Sequence, residues 1–129
     1  MLQHFYEPEK RYKEKERPYK TKEGEAVFSR GELKIANFLH DEGIDYHYEP
    51  KREIEGRMWC PDFYLWKLDV YIEFQGMADD EQAKKHYAVR YMAMKNAGFR
   101  VIYLYESQRS RLGKIITEKL QELQDKEAS

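Results

Sequence analysis

Two short apolar runs, each carrying a single carboxylate, constrain the fold of this 129-residue chain more than any other feature. They are Pro61-Asp62-Phe63-Tyr64-Leu65 and Tyr71-Ile72-Glu73-Phe74-Gln75-Gly76, separated by Trp66-Lys67-Leu68-Asp69. That spacer has the length of a hairpin connection. A turn centred on Lys67-Leu68 predicts an antiparallel register that pairs Tyr64 with Tyr71 and Asp62 with Glu73. Residues directly opposed on one face have Cβ atoms roughly 5 Å apart, and like charges there repel. A divalent cation is the usual remedy for such a pair. Gln75 lies two residues past Glu73 and so falls on the same face.

The flanking sequence predicts what this hairpin packs against. Ser29-Arg30-Gly31-Glu32 is a capping box that opens a helix, with Leu33, Ala36, Phe38 and Leu39 as its buried stripe and Gly43 as its C′ residue. Ile44 to Glu49 alternates as a strand: Ile44, Tyr46 and Tyr48 on one face, Asp45, His47 and Glu49 on the other. Pro50 to Gly56 reads as a polar connection, and Met58 to Leu65 as a strand. In the next strand, Val70 to Gln75, Val70, Ile72 and Phe74 face one side while Tyr71, Glu73 and Gln75 face the other. After Gly76, Asp79-Asp80-Glu81 starts a long helix with its acids at the positive end of the dipole. Gly98 ends that helix, and Phe99 to Tyr105 reads as a buried strand. The crossover has the length of a right-handed βαβ unit. A last amphipathic helix spans about Ser110 to Gln124, with Leu112, Ile115, Ile116, Leu120 and Leu123 inside. The expected class is α/β, a mixed sheet flanked by helices.

Residues 1–25 are charge-dense and contain Pro8 and Pro18. They read as an arm or irregular extension whose aromatic residues Phe5, Tyr6, Tyr12 and Tyr19 dock onto the domain, a second subunit or a nucleic acid. Residues 26–129 form the single domain. One cysteine, Cys60, rules out an intrachain disulfide framework and suits a reducing cytosol. No apolar run reaches membrane-spanning length, and no signal-peptide pattern opens the chain, so the expectation is a soluble, cytoplasmic protein with no membrane partner. For a viral gene that means the host cytoplasm. The formal net charge is only −1, which argues against a strongly electrostatic nucleic-acid binder. The charges are segregated, however: Lys84 to Arg100 holds Lys84, Lys85, Arg90, Lys95 and Arg100 and no acid. Such a stretch can present one basic face.

The first helix, laid against the sheet, could bring Glu32 towards Asp62 and Glu73. Three carboxylates at a strand end make a hard, oxygen-rich site suited to Mg²⁺ or Mn²⁺. Each residue also has a structural reading. Glu32 is explained by capping Ser29, and Asp62 by a solvated strand end. A buried Glu73 is costly unless paired, and Arg90 or Lys84 can supply an ion pair. His40, His47 and His86 lack zinc-ligand spacing. Tyr87 and Tyr91 read as packing residues, and Lys84, Lys85 and Lys95 either contact phosphates or form a solvated helix face.

Asp62 preceded by proline, followed by Glu73-x-Gln75 and with Glu32 in the preceding helix, resembles the PD-(D/E)XK nuclease superfamily. Ser29-Arg30-Gly31-Glu32, Ile35-Ala36-Asn37-Phe38-Leu39, Gly43-Ile44, Tyr48-Glu49 and Pro61-Asp62-Phe63 are similar to nuclease modules appended to some helicases and to phage-type Holliday-junction resolvases. The stretch through Glu73, Gly76, Arg90, Gly98 and Val101 is similar to very-short-patch-repair type endonucleases. The resemblance covers about residues 29–106. It implies a restriction-endonuclease-like αβββαβ core, with Asp62, Glu73, the Phe74 carbonyl and Glu32 as metal ligands. The implied reaction is Mg²⁺-dependent hydrolysis of DNA by an activated water, with Mn²⁺ as a substitute, leaving 5′-phosphate and 3′-hydroxyl ends. The superfamily's usual lysine is Gln75 here, and Arg90 on the following helix, eight residues before Gly98, stands where similar proteins place a basic residue.

The expected function is therefore a structure-dependent DNA endonuclease of repair or recombination, acting on branched or junction DNA. A symmetric substrate favours a homodimer, and a protein partner could add specificity. The alternative is a nuclease-fold nucleic-acid-binding or assembly module with weak or no catalysis, which Gln75 favours.

Overall fold

The computed structural model describes residues 17–76 and 81–128. At the centre lies a four-stranded mixed sheet in the order β3 (His47–Tyr48), β6 (Phe63–Leu65), β7 (Val70–Gln75), β8 (Val101–Tyr105). Strand β7 is its best-buried member. It pairs antiparallel with β6 and parallel with β8, while β3 pairs antiparallel with β6 at the edge. The register joins Tyr64 to Tyr71 and Phe63 to Ile72, as the spacer length predicted.

Strict alternation in β7 divides the molecule into two packed layers. Val70, Ile72 and Phe74 join Phe63, Leu65, Ile102 and Leu104 on one face. Helix α1 (Arg30–Asp41) and helix α3 (Leu112–Ala128) cover that face through Ile35, Ala36, Leu39, Leu112 and Ile116. Tyr71 faces the other way, towards Met94 of helix α2 (Glu81–Asn96) and the buried Trp59 and Ile54. Gly31 lets α1 approach closely: a Cβ there would lie 2.1 Å from the Phe74 ring.

Helix α1 begins with the expected capping box: the Ser29 hydroxyl accepts from the Glu32 N–H, and the Glu32 carboxylate accepts from the Ser29 N–H. It ends at Gly43, whose φ of +69° suits a residue without Cβ. Its buried stripe differs from the expected one. Ile35 lies in the core and Leu33 is only half-buried, because the helix face turned to the sheet is centred between Gly31 and Ile35.

Three further expectations are corrected. The Pro50–Gly56 connection is not irregular, because Arg52–Ile54 (β4) and Arg57–Trp59 (β5) form an antiparallel hairpin. Glu55 and Gly56 both have positive φ, the backbone a two-residue hairpin loop demands. Met58–Leu65 is not one strand. Pro61 has no N–H to give a ladder, and the chain passes from β5 to β6 through Cys60–Asp62. Strand β8 is not buried throughout: Ile102 and Leu104 are inside, whereas Tyr103 is half-buried and Tyr105 is exposed.

The described end of the arm is also more ordered than its composition suggests. Tyr19–Lys20 (β1) pairs with Ala26–Val27 (β2). The hairpin docks on α1, with the Lys22 N–H donating to Asn37 Oδ1 at 2.9 Å, Lys22 Nζ meeting Asp41 at 2.7 Å, and Val27 fully buried. Phe5, Tyr6, Tyr12, Asp79 and Asp80 lie outside the described residues. Gly98, at φ +83°, ends α2 as expected. A 3₁₀ turn (Glu106–Arg111) precedes α3, which starts two residues after Ser110 and runs past Gln124. No described helix is long and apolar enough to cross a membrane.

Candidate active site

Asp62 and Glu73 meet where the β6–β7 ladder ends. Asp62 is 3% exposed and Glu73 5%. Each carboxylate is held by the other residue's strand: the Asp62 N–H donates to Glu73 Oε1 at 2.7 Å, and the Phe74 N–H donates to Asp62 Oδ2 at 2.7 Å. Both donors lie beyond Phe63 and Ile72, the last pair of the β6–β7 ladder. A backbone N–H to a carboxylate is a charge-assisted bond and among the stronger kinds.

The counter-charge comes from α2. Arg90 is completely buried, and its Nε donates to Glu73 Oε2 at 2.6 Å. Its Nη1 reaches the Cys60 carbonyl at 3.5 Å, and its guanidinium lies 5.0 Å from the Tyr87 ring centroid. The repulsion expected between Asp62 and Glu73 is thus offset inside the chain, by a guanidinium and two backbone N–H groups. Removing one partner from such a buried pair leaves an uncompensated charge, at a cost of about 3–5 kcal/mol.

Glu32 takes a different position. It is 7% exposed, and its Oε1 accepts from the N–H groups of Phe28 (2.9 Å) and Ser29 (3.3 Å) and from the Tyr48 hydroxyl (3.3 Å). Arg17, in the arm, donates to the Tyr48 hydroxyl at 3.3 Å and to Glu49 Oε1 at 2.8 Å. Burial works against the charge of this guanidinium, but Glu49 outweighs it, and the Arg17 pKa is raised. Glu32 therefore belongs to a Glu32–Tyr48–Arg17–Glu49 network at the start of α1. Glu49 links that network to the first, because its N–H donates to the Asp62 carbonyl at 2.8 Å.

Among the described residues no group of three or more His, Cys, Asp or Glu side chains is placed to hold a metal ion. The donor set nonetheless has the right chemistry for a hard cation. Asp62 and Glu73 converge as two oxygen donors, and Phe74 enters the same strand end through its backbone. Glu32 does not complete a three-carboxylate group with them, and Arg90 holds Glu73 Oε2.

Gln75, half-buried, follows Glu73 on the α2-facing side of β7. It lines a cleft of about 220 Å³ between α2 and the ends of β7 and β8. Glu73, Lys84, Tyr87, Tyr91, Tyr103 and Tyr105 also line it. Lys84 is exposed and lies 3.4 Å from Glu81, Lys85 is exposed, and Lys95 is exposed with its Nζ 5.7 Å from the Tyr91 centroid. Burial, and then the negative charge of Glu73, push the Tyr103 pKa up, so its phenol keeps its proton. Sequence reasoning missed Tyr103 and Tyr105. The signal is present as alternation within Phe-Arg-Val-Ile-Tyr-Leu-Tyr, but the run as a whole reads as a buried strand.

No family model, curated protein or solved structure matches this chain.

Proposed function

We propose that this chain hydrolyses phosphodiester bonds in DNA, with Asp62 and Glu73 holding a divalent cation. The observation that carries this reading is the buried carboxylate pair at the end of β6 and β7, cross-linked to the two strands and backed by a buried guanidinium. Stability alone does not call for such a group, since apolar residues of similar volume serve a core as well or better. The order α1, β3, β6, β7, α2, β8, with the β4–β5 hairpin inserted, agrees with the core implied by the resemblance to PD-(D/E)XK nucleases.

Mg²⁺, when bound, supplies positive charge to the scissile phosphate and makes its bound water more acidic. The protein's own residues do the rest. The reciprocal backbone bonds hold both carboxylates in place. Arg90 pairs with Glu73 and provides the fixed positive charge that Gln75 cannot. The Gln75 amide offers a donor and an acceptor for orienting a water or a substrate group. Lys84, Lys85 and Lys95 lie on α2 for contact with backbone phosphates. Branched or junction DNA is the favoured substrate because a core of this size has few elements with which to read base sequence. A homodimer would match the symmetry of a junction.

The test is incubation of the purified protein with branched, single-stranded and duplex DNA in Mg²⁺, Mn²⁺ or EDTA. The expected result is metal-dependent cleavage that disappears in Asp62→Ala and Glu73→Ala while circular dichroism still reports a folded chain. The second reading, a non-catalytic nucleic-acid-binding or assembly module, is favoured by one observation: Arg90 already matches the charge of Glu73. Binding without cleavage on every substrate, RNA included, would select it.

A further inference from the structure

We propose that the tyrosine-lined cleft between α2 and the ends of β7 and β8 holds a single unpaired DNA base. The proposal rests on the reading of DNA as substrate and specifies the form in which DNA is engaged, a strand with at least one base out of its stack.

Four tyrosines, Tyr87, Tyr91, Tyr103 and Tyr105, line the cleft. Among the described residues, Tyr91 and Tyr105 are large apolar-bodied side chains left open to solvent, at 39% and 44% exposure. Tyr91 lies against Tyr103, with centroids 5.0 Å apart and planes tilted by 56°. Such rings present π faces in more than one direction. Any base has a π face, and stacking on an aromatic side chain is worth about 1–3 kcal/mol per base. The volume of about 220 Å³ accommodates one planar ring system.

The polar groups fit the same occupant. Gln75 carries both a donor and an acceptor, which can meet the exposed pairing edge of any base. Lys84 can meet the phosphate attached to an inserted nucleotide. Glu73 also lines the cleft, and its charge disfavours a phosphate beside it. The base therefore enters and the phosphate stays outside. The location follows a general rule, that ligands of open α/β sheets bind beyond the carboxyl ends of parallel strands. Gln75 and Tyr105 are the last residues of the parallel pair β7–β8. A base seated here leaves its sugar-phosphate at the mouth of the cleft, on the side of Lys84.

The experiment uses the full chain in EDTA, so that nothing is turned over. Binding of a fluorescently labelled oligothymidylate is compared by polarisation with binding of a strand of equal length whose residues are all abasic. Both strands carry the same phosphates. The expected preference for the base-bearing strand is about tenfold. Tyr91→Ala and Tyr105→Ala should each reduce it severalfold while leaving affinity for the abasic strand unchanged, and Tyr105→Phe should keep it. Equal affinity of the wild-type chain for the two strands, or binding to neither, would overturn the proposal. If metal-dependent cleavage is found but the two strands bind alike, the base cleft falls and the hydrolytic reading stands. Base preference with no cleavage in any metal gives the reverse outcome.

Discussion

The two faces of the central sheet are built from the same strands and solve different problems. The α1–α3 face is apolar, with Ile35, Leu39, Leu65, Ile72, Leu104 and Ile116 each fully buried. It can be close-packed by residues that need no particular partner. The α2 face carries Trp59, Tyr64, Tyr71, Phe99, Glu73 and Arg90. Every polar atom there needs a specific neighbour. Arg52 shows how tightly that face is organised, with its Nε donating to the Tyr71 hydroxyl at 2.6 Å and its guanidinium 4.7 Å from the Tyr64 ring centroid. Tyr71 in turn stacks on Tyr64 at 4.5 Å and on Phe99 at 5.1 Å. One residue step along β7 separates a face that stabilises from a face that holds chemistry.

The largest expected effect is on the second face. Arg90→Ala should lower stability by about 3–5 kcal/mol, read from urea unfolding, because it leaves Glu73 buried without its guanidinium. The double change Glu73→Gln with Arg90→Met should recover most of that loss, since the amide introduced at position 73 keeps an acceptor for the Asp62 N–H. DNA cleavage should not return with it. Recovery of both would show that the pair serves packing alone.

Leu104→Ala addresses the first face. Truncation of this fully buried residue should cost about 2–5 kcal/mol and leave strand binding unchanged below the unfolding transition. Altered binding preference in the folded variant would mean that the two faces are not separable.

The smallest effect is a pH dependence. Burial and Glu73 raise the Tyr103 pKa above its ordinary value near 10. Folded protein therefore holds this proton to higher pH than unfolded protein does. The associated stability is present in full below about pH 10 and is lost as pH rises through the folded value. Tyr103→Phe should lose less stability than wild type on alkaline titration above that point, as followed by urea midpoints. An identical alkaline decline in both proteins would place Tyr103 in a more solvated setting than the cleft.

Local structure was legible wherever one short stretch contains its own cause. The capping box at Ser29 and Glu32, the left-handed Gly43 and Gly98, and the alternation in Val70–Gln75 each need only neighbouring residues. The Tyr64–Tyr71 register followed from the length of one turn. The β4–β5 hairpin was not legible, because Glu55 is an unusual residue for a left-handed loop position and its turn is held by the burial of Ile54 and Trp59. Ile35 was overlooked for a comparable reason: several apolar residues in α1 compete for the inner face, and contact with β7 at Gly31 decides among them.

By itself the sequence determined that Asp62 and Glu73 share one face of a hairpin, because side-chain direction in a strand has a period of two. It also determined that a helix and a parallel strand follow. Only the tertiary structure decided which cation answers Glu73. Arg90 is 17 residues away on an element whose rotation is set by packing against Tyr71 and Trp59, and no local rule orients it. The same holds for Glu32, which the capping box and Tyr48 keep at the start of α1, and for the cleft, whose walls come from three separate elements. Chain-local forces act over a few residues, whereas a site made of opposing charges and rings exists only after distant segments have packed.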